Sequence, residues 1–229
     1  MITMKAVGDF AKAVAWAEAA EKQLPFSTSQ GLNKTAFDIR TAFNSGTKSA
    51  FHKPVPFTQK AFLVKKSSKR VLNTSIYAID QQGKDRARYL RFGTAGGTRP
   101  QKGFERYFEK GVPNDGTIPS GAYFIPGPHV KINASGNVSR ATLKRITKGI
   151  SGTKGGFFIG TPRNSNLPPG IYRRSKNNLF PYFFATTNKP DYSPRFNIQD
   201  IGNKVVTRRL LKYTQAALDK NIRDQLAGK

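Results

Sequence analysis

Two histidines, thirteen carboxylates and no cysteine are all this chain offers to acid–base, nucleophilic or metal chemistry. His52 and His129 lie far apart, and neither belongs to a His-x-x-x-His or other metal-spaced motif. Without cysteine there are no disulfides and no thiolate metal sites. Glu105 and Glu109 stand at i, i+4 beside Arg106 and Lys110, which is the spacing of a salt-bridged helical turn rather than a catalytic dyad. No Gly-x-Ser-x-Gly elbow marks a nucleophile. Gly93-Thr94-Ala95-Gly96-Gly97-Thr98 and Gly152-Thr153-Lys154-Gly155-Gly156 lack the Gly-Lys-Ser/Thr ending of a phosphate-binding loop and read as flexible loops. A metal-dependent hydrolase needs clustered carboxylates, and the stretch from Gly116 to Pro190 has none. The expectation is a protein that is not an enzyme, with no catalytic residue, metal ligand or cofactor.

What the chain has in excess is positive charge. Lys plus Arg number 39 against 13 acids, a net charge of +26. Such a surplus repels itself and points to an acidic neighbour: nucleic acid, an anionic surface or an acidic protein. It is also unevenly spread. Residues 1–52 are close to balanced, whereas the surplus is concentrated between residues 53 and 190. Two clusters interleave cations with aromatics, as single-strand binders do to neutralise phosphates and stack bases. The first is Arg86, Arg88, Tyr89, Arg91 and Phe92; the second is Arg99, Lys102, Phe104, Arg106, Tyr107 and Phe108. For Phe104 and Phe108 a place in the core is the favoured reading, while for the arginines both readings stay open. Arg140, Lys144 and Arg145 on a predicted helix, and Arg173 and Arg174 on a predicted strand, complete the candidate interface or DNA-facing set.

The elements that must carry these residues follow from periodicity and breakers. Val7, Phe10, Val14 and Ala17 predict a helix over 3–23, ended at Leu24-Pro25. Ser27, Thr28 and Ser29 then offer caps for a second helix, with Leu32, Ala36, Ile39 and Phe43 on one face. Residues 61–79 read as a hairpin around a basic turn, and 84–92 as a short helix or turn. Residues 98–138 read as a long Pro-, Gly- and Asn-rich loop of the kind that orders on a partner. A helix over 139–150 capped by Ser139 follows, then strands at 156–160, 170–173 and 179–187. Pro181 predicts an edge or a bulge. Ile201, Val205, Leu210, Tyr213, Ala217, Leu218 and Ile222 predict a long amphipathic helix over 197–226, closed by Gly228. The fold class expected is α+β: an antiparallel sheet packed by N-terminal helices and a long C-terminal helix, with long loops. The organisation expected is a single domain over 1–229, helical to residue 52, sheet and basic loops over 53–190, and the C-terminal helix over 197–226. Lys12, Glu18 and Glu21 interrupt the first helix, so it does not read as a signal peptide. No stretch approaches the roughly 18 apolar residues of a membrane span.

The order of several short tracts carries a resemblance. Gly31-Leu32-Asn33-Lys34-Thr35-Ala36 is followed by Phe51-His52-Lys53-Pro54-Val55-Pro56-Phe57-Thr58. Arg88-Tyr89-Leu90-Arg91-Phe92-Gly93-Thr94 with Gly96-Gly97 comes next, then Ser135-Gly136-Asn137, and Tyr192-Ser193-Pro194-Arg195-Phe196 precedes the last helix. This order resembles tailed-phage minor tail and tail-completion proteins of the lambda minor tail protein Z type. The long 98–138 region departs from the shorter members. The resemblance implies a non-enzymatic virion protein of the neck or tail, in the host cytoplasm during assembly. It implies a ring of copies beside connector, tail-terminator or tail-tube proteins, around the genomic DNA. A nucleic-acid-binding protein acting free in the cell is the alternative that the charge alone supports.

Overall fold

The computed structural model describes residues 10–78, 87–110, 116–151 and 156–228, with the backbone alone for 87–89. In chain order the elements are α1 (Phe10–Ala50), α2 (Pro56–Gln59), β1 (Phe62–Lys65), β2 (Ser75–Ala78), α3 (Ala87–Thr94), β3 (Gly97–Thr98), α4 (Gly103–Lys110), β4 (Tyr123–Pro126), α5 (Arg140–Ser151), β5 (Phe157–Gly160), β6 (Gly170–Ser175), β7 (Asn178–Thr186), β8 (Asp191–Tyr192) and α6 (Ile198–Leu226). The fold is α+β and every strand pairing is antiparallel. The chain forms two compact units. The first holds residues up to Phe51, Pro56–Leu90 and Arg195 onward; the second holds His52–Val55 and Arg91–Pro194.

The first unit is built on α1 against α6. The helix break expected at Leu24-Pro25 does not occur, because α1 runs unbroken through Pro25. A proline inside a helix loses one backbone hydrogen bond and costs about 3 kcal/mol. Contacts on both sides of Pro25 offset that cost. Gln23 Nε2 donates to Gln225 Oε1 at 2.9 Å, and Asn221 Nδ2 donates to Ser27 Oγ at 2.9 Å. The serines expected as caps are therefore interior residues. Ser27 is buried against α6, while Ser29 Oγ lies 3.1 Å from Ser67 Oγ, beyond β1. Gly31 lets the helices come close, since a Cβ there would lie 2.9 Å from the Thr214 Cα. Farther along, Ile39 and Phe43 meet Phe62, Leu90 and Phe196 in a core closed over the β1–β2 hairpin. Asn197 caps α6 by accepting the Asp200 N–H.

The second unit is a four-stranded sheet in the order β4-β7-β6-β5. Of the two positions offered by Pro181, the bulge is the one found. β7 is central, and the register shifts between Ile171↔Phe183 and Tyr172↔Pro181. The shift leaves a place in the ladder where the missing proline N–H is tolerated. The expected 98–138 loop is also corrected: it contains β3, α4 and β4. Phe104 and Phe108 of α4 reach Phe183 and Phe124, with ring centroids about 6 Å apart. Ile146 of α5 joins Ile159 and Ile171 in the same core. The register places Phe124, Phe183, Ile171 and Ile159 on one face of the sheet, so α4 and α5 cover that face. The two-residue ladder β3–β8 joins Gly97 to Tyr192, and Phe92 packs on the Tyr192 ring.

Candidate functional site

The arrangement best suited to meet a ligand lies on the outward sides of α4 and α5. On α4, Phe104, Glu105 and Phe108 turn inward, which leaves Arg106 and Lys110 exposed four residues apart, with Lys102 just before the helix in the same phase. On α5, Leu143, Ile146, Gly149 and Ile150 turn inward, which leaves Arg140, Lys144 and Lys148 exposed at the same spacing, with Arg145 beside them. Each helix is short, single-sided and fixed by its apolar residues. All of these cations but Lys102 are thus carried in two rows on helices packed against the sheet.

The acids near these rows are turned away from them. Arg99 donates to Glu105 through both terminal nitrogens, Nη1 to Oε2 at 2.7 Å and Nη2 to Oε1 at 2.8 Å. The backbone N–H groups of Lys102 and Phe124 also reach the Glu105 carboxylate. Burial alone would push the Glu105 carboxyl up. The Arg99 guanidinium and the Lys102 amide outweigh it and hold the group below the usual carboxylate range. The same hydrogen bond raises the pKa of Arg99 against the opposing effect of its burial. Glu109 accepts from Gln101 Nε2 at 2.6 Å and from the Gly121 N–H at 2.9 Å, and those bonds hold its carboxyl low as well. The two carboxylates expected to salt-bridge with Arg106 and Lys110 therefore stitch α4 to the start of β4.

The other sequence-selected residues fall in several places. Arg86 lies outside the described residues, and of Arg88 only the backbone, in α3, is described. Arg91 is exposed near the end of α3. Arg99 is committed inward to Glu105 and also lies over the Tyr123 ring, so it does not present to an outside anion. Arg173 and Arg174 are exposed on β6, and their guanidiniums sit over Phe157 and Phe158. The structure brings together Lys102, just before α4, and Arg106, on α4, and it brings together Arg140, Lys144 and Arg145 on α5. It adds Lys110 and Lys148, which sequence reading missed although each stands four residues beyond a selected cation. His129 packs edge-on against Phe180 as a loop residue.

Among the described residues no group of three His, Cys, Asp or Glu side chains could hold a metal ion. No helix among them is long and apolar enough to cross a membrane. The chemistry left to the two rows is electrostatic: seven exposed cations suited to a phosphate backbone or an acidic protein surface. Comparison with protein-family models, curated proteins and solved structures returned no match.

Proposed function

We propose that this chain is a structural protein of a tailed-phage virion, placed at the neck or upper tail. There it completes or joins the tail to the head connector as one member of an oligomeric ring, beside connector, tail-terminator or tail-tube proteins. In this reading the α4 and α5 rows face the DNA path. The observation that carries it is the pairing of two fixed cation rows with carboxylates that turn inward. This arrangement keeps the surface positive while the acids serve the fold. The tract order that resembles tail-completion proteins supplies the setting. In the structure two of those tracts adjoin, since β3 and β8 pair Gly97 with Tyr192.

Two measurements test it together. Mass spectrometry of purified particles is expected to find the chain in stoichiometric copies. Binding of the isolated protein to duplex DNA is expected to weaken with salt at a log–log slope near −0.9 per phosphate contact. Replacing Arg140, Lys144, Arg145 and Lys148 with serine should make that slope shallower by about 3–4. Absence from particles overturns the virion reading. If DNA binding persists in that case, the protein acts free on nucleic acid. No binding at about 50 mM salt removes the DNA-facing role.

A further inference from the structure

The turn between β1 and β2 is basic, and it belongs to the first unit, whereas the α4 and α5 rows belong to the second. Between Asp38 and Asp80 the sequence holds eight Lys and Arg residues and no carboxylate. Four of the eight, Lys65, Lys66, Lys69 and Arg70, fall at this turn. Like charges so close repel, and a loop free to move would spread them. This loop is instead held. Ser67 is buried against α1, where its N–H donates to Asn33 Oδ1 at 2.8 Å and its carbonyl accepts from Asn33 Nδ2 at 3.1 Å. The Ser67 hydroxyl reaches the Ser29 carbonyl at 3.2 Å. Beyond it Ser68 and Val71 exchange both backbone hydrogen bonds, at 3.0 and 3.1 Å, which leaves Lys69 and Arg70 as a two-residue tip. Lys66 rests over the Phe37 ring, while Lys65, Lys69 and Arg70 are exposed and form no ion pair among the described residues.

The ribbon behind this tip has one covered face and one open face. Phe62, Ile76 and Ala78 pack into the core that Ile39 and Phe43 of α1 share. Leu63, Lys65, Ser75 and Tyr77 alternate with them and are exposed. The register sets Leu63 opposite Tyr77 and Lys65 opposite Ser75, so the four form one patch. Tyr77 is 48% exposed. Among the described residues β1 and β2 pair only with each other.

We propose that this ribbon is a duplex-DNA contact whose outward face lies in the major groove. Charge, shape and chemistry agree on that occupant. A polyanion relieves the repulsion that the fixed turn maintains. The major groove, about 12 Å wide, admits a two-stranded ribbon, and this ribbon is two strands wide with its other face backed by the core. Lys65 can donate to guanine O6 and N7, Ser75 suits any base edge, and Leu63 and Tyr77 offer apolar contact to thymine methyls. Lys69 and Arg70 reach the phosphates. An acidic protein surface satisfies the charge alone. The proposal rests on DNA as the acidic neighbour, but neither on the virion setting nor on the α4 and α5 rows.

Binding of the full chain to a labelled mixed-sequence duplex is followed by fluorescence anisotropy over a salt series. The same duplex carrying glucosylated 5-hydroxymethylcytosine, which fills the major groove, is titrated beside it. Lys69→Ser with Arg70→Ser is expected to make the log–log slope shallower by about 2. The parent should bind the glucosylated duplex about tenfold more weakly, and Lys65→Ser with Tyr77→Ser should discriminate less between the two. All four positions are exposed, and unchanged circular dichroism and thermal midpoint will establish that the variants are folded. A parent slope kept by Lys69→Ser with Arg70→Ser overturns the proposal and leaves an acidic protein as the ribbon's occupant. Equal binding of the two duplexes by the parent overturns it too, as does no duplex binding at about 50 mM salt. The serine variant of the α5 cations should still discriminate between the duplexes. An unchanged slope in that variant counts against the rows alone.

Discussion

Replacing Gly31 with alanine sets two effects against each other, and the structure decides between them. In a helix interior alanine is favoured over glycine by about 1 kcal/mol, so a Gly→Ala change with room around it stabilises. At Gly31 there is no room. The added Cβ would lie 2.2 Å from the Thr214 Oγ1 and 2.9 Å from the Thr214 Cα and N. The hydroxyl can rotate away, but the backbone of α6 cannot yield without moving the helix. Overpacking of this kind costs about 1–3 kcal/mol, and a backbone obstacle belongs in the upper part of that range. Gly31→Ala is expected to destabilise the first unit by about 1–2 kcal/mol after the propensity gain is subtracted. Gly202→Ala is the internal control, because a Cβ there meets only the Phe43 ring edge at 3.8 Å, an ordinary contact. It should stabilise by about 0.5–1 kcal/mol. Urea unfolding followed by far-UV circular dichroism gives both midpoints. Thr214→Ala added to Gly31→Ala should rescue only in part, since it removes the hydroxyl and leaves the backbone. A Gly31→Ala protein as stable as the parent would refute the close seam between α1 and α6.

Three further outcomes follow from the same structure. Glu105→Gln removes the charge that pairs with Arg99 in a buried site and should cost about 3 kcal/mol by denaturant titration of the second unit. The Glu105 carboxyl is held low in the folded state, so its contribution is complete above the unfolded carboxylate pKa, about 4.3, and is lost as pH falls through the folded value. The parent should lose stability on acidification over that window, and Glu105→Gln should lose less. Asn197→Ala removes the acceptor of the Asp200 N–H at 3.0 Å and should cost about 1 kcal/mol in a thermal melt. Tyr213→Phe deletes the hydroxyl that donates to Asp38 Oδ2 at 2.7 Å and should lower the midpoint slightly in the same measurement. It also removes the group whose pKa Asp38 raises, so the alkaline titration of that tyrosine should disappear.

The elements legible in the sequence are those whose signals are local. α6 starts beside the Asn197 expected to open it, and α5 starts after Ser139, whose Oγ accepts the Thr142 N–H at 3.1 Å. β5, β6 and β7 lie where short apolar runs placed them, and of the edge or bulge that Pro181 allowed, the bulge is found. The errors come from tertiary contacts that no local signal carries. Pro25 argues for a break because its cost is intrinsic, whereas the contacts that offset it, Gln225 and Asn221, lie about 200 residues away. The 98–138 region looked structureless because its glycines and prolines are dense. Yet Phe104 and Phe108 at helical spacing already marked α4, and Glu105 and Glu109 kept the same phase. The rows were half legible for a similar reason. Arg106 and Lys144 were chosen for their company in sequence. Lys110 and Lys148 needed a known inward face before they became members.

The path of the chain through its two units has a consequence for how the protein is made. The second unit is an excursion from the first, and β3 and β8 tie its entry to its exit. α6 follows that segment in sequence, so the first unit can be completed only after the segment has been synthesised. A chain emerging from the ribosome therefore presents α1 first and supplies its partner helix last. Sheet and short helices can settle while the long helix waits with its seam uncovered. During that interval α6 of a neighbouring nascent chain competes for the seam on equal chemical terms. Slow elongation or crowded translation should then raise the share of exchanged pairs, in which each copy completes the other's helical layer.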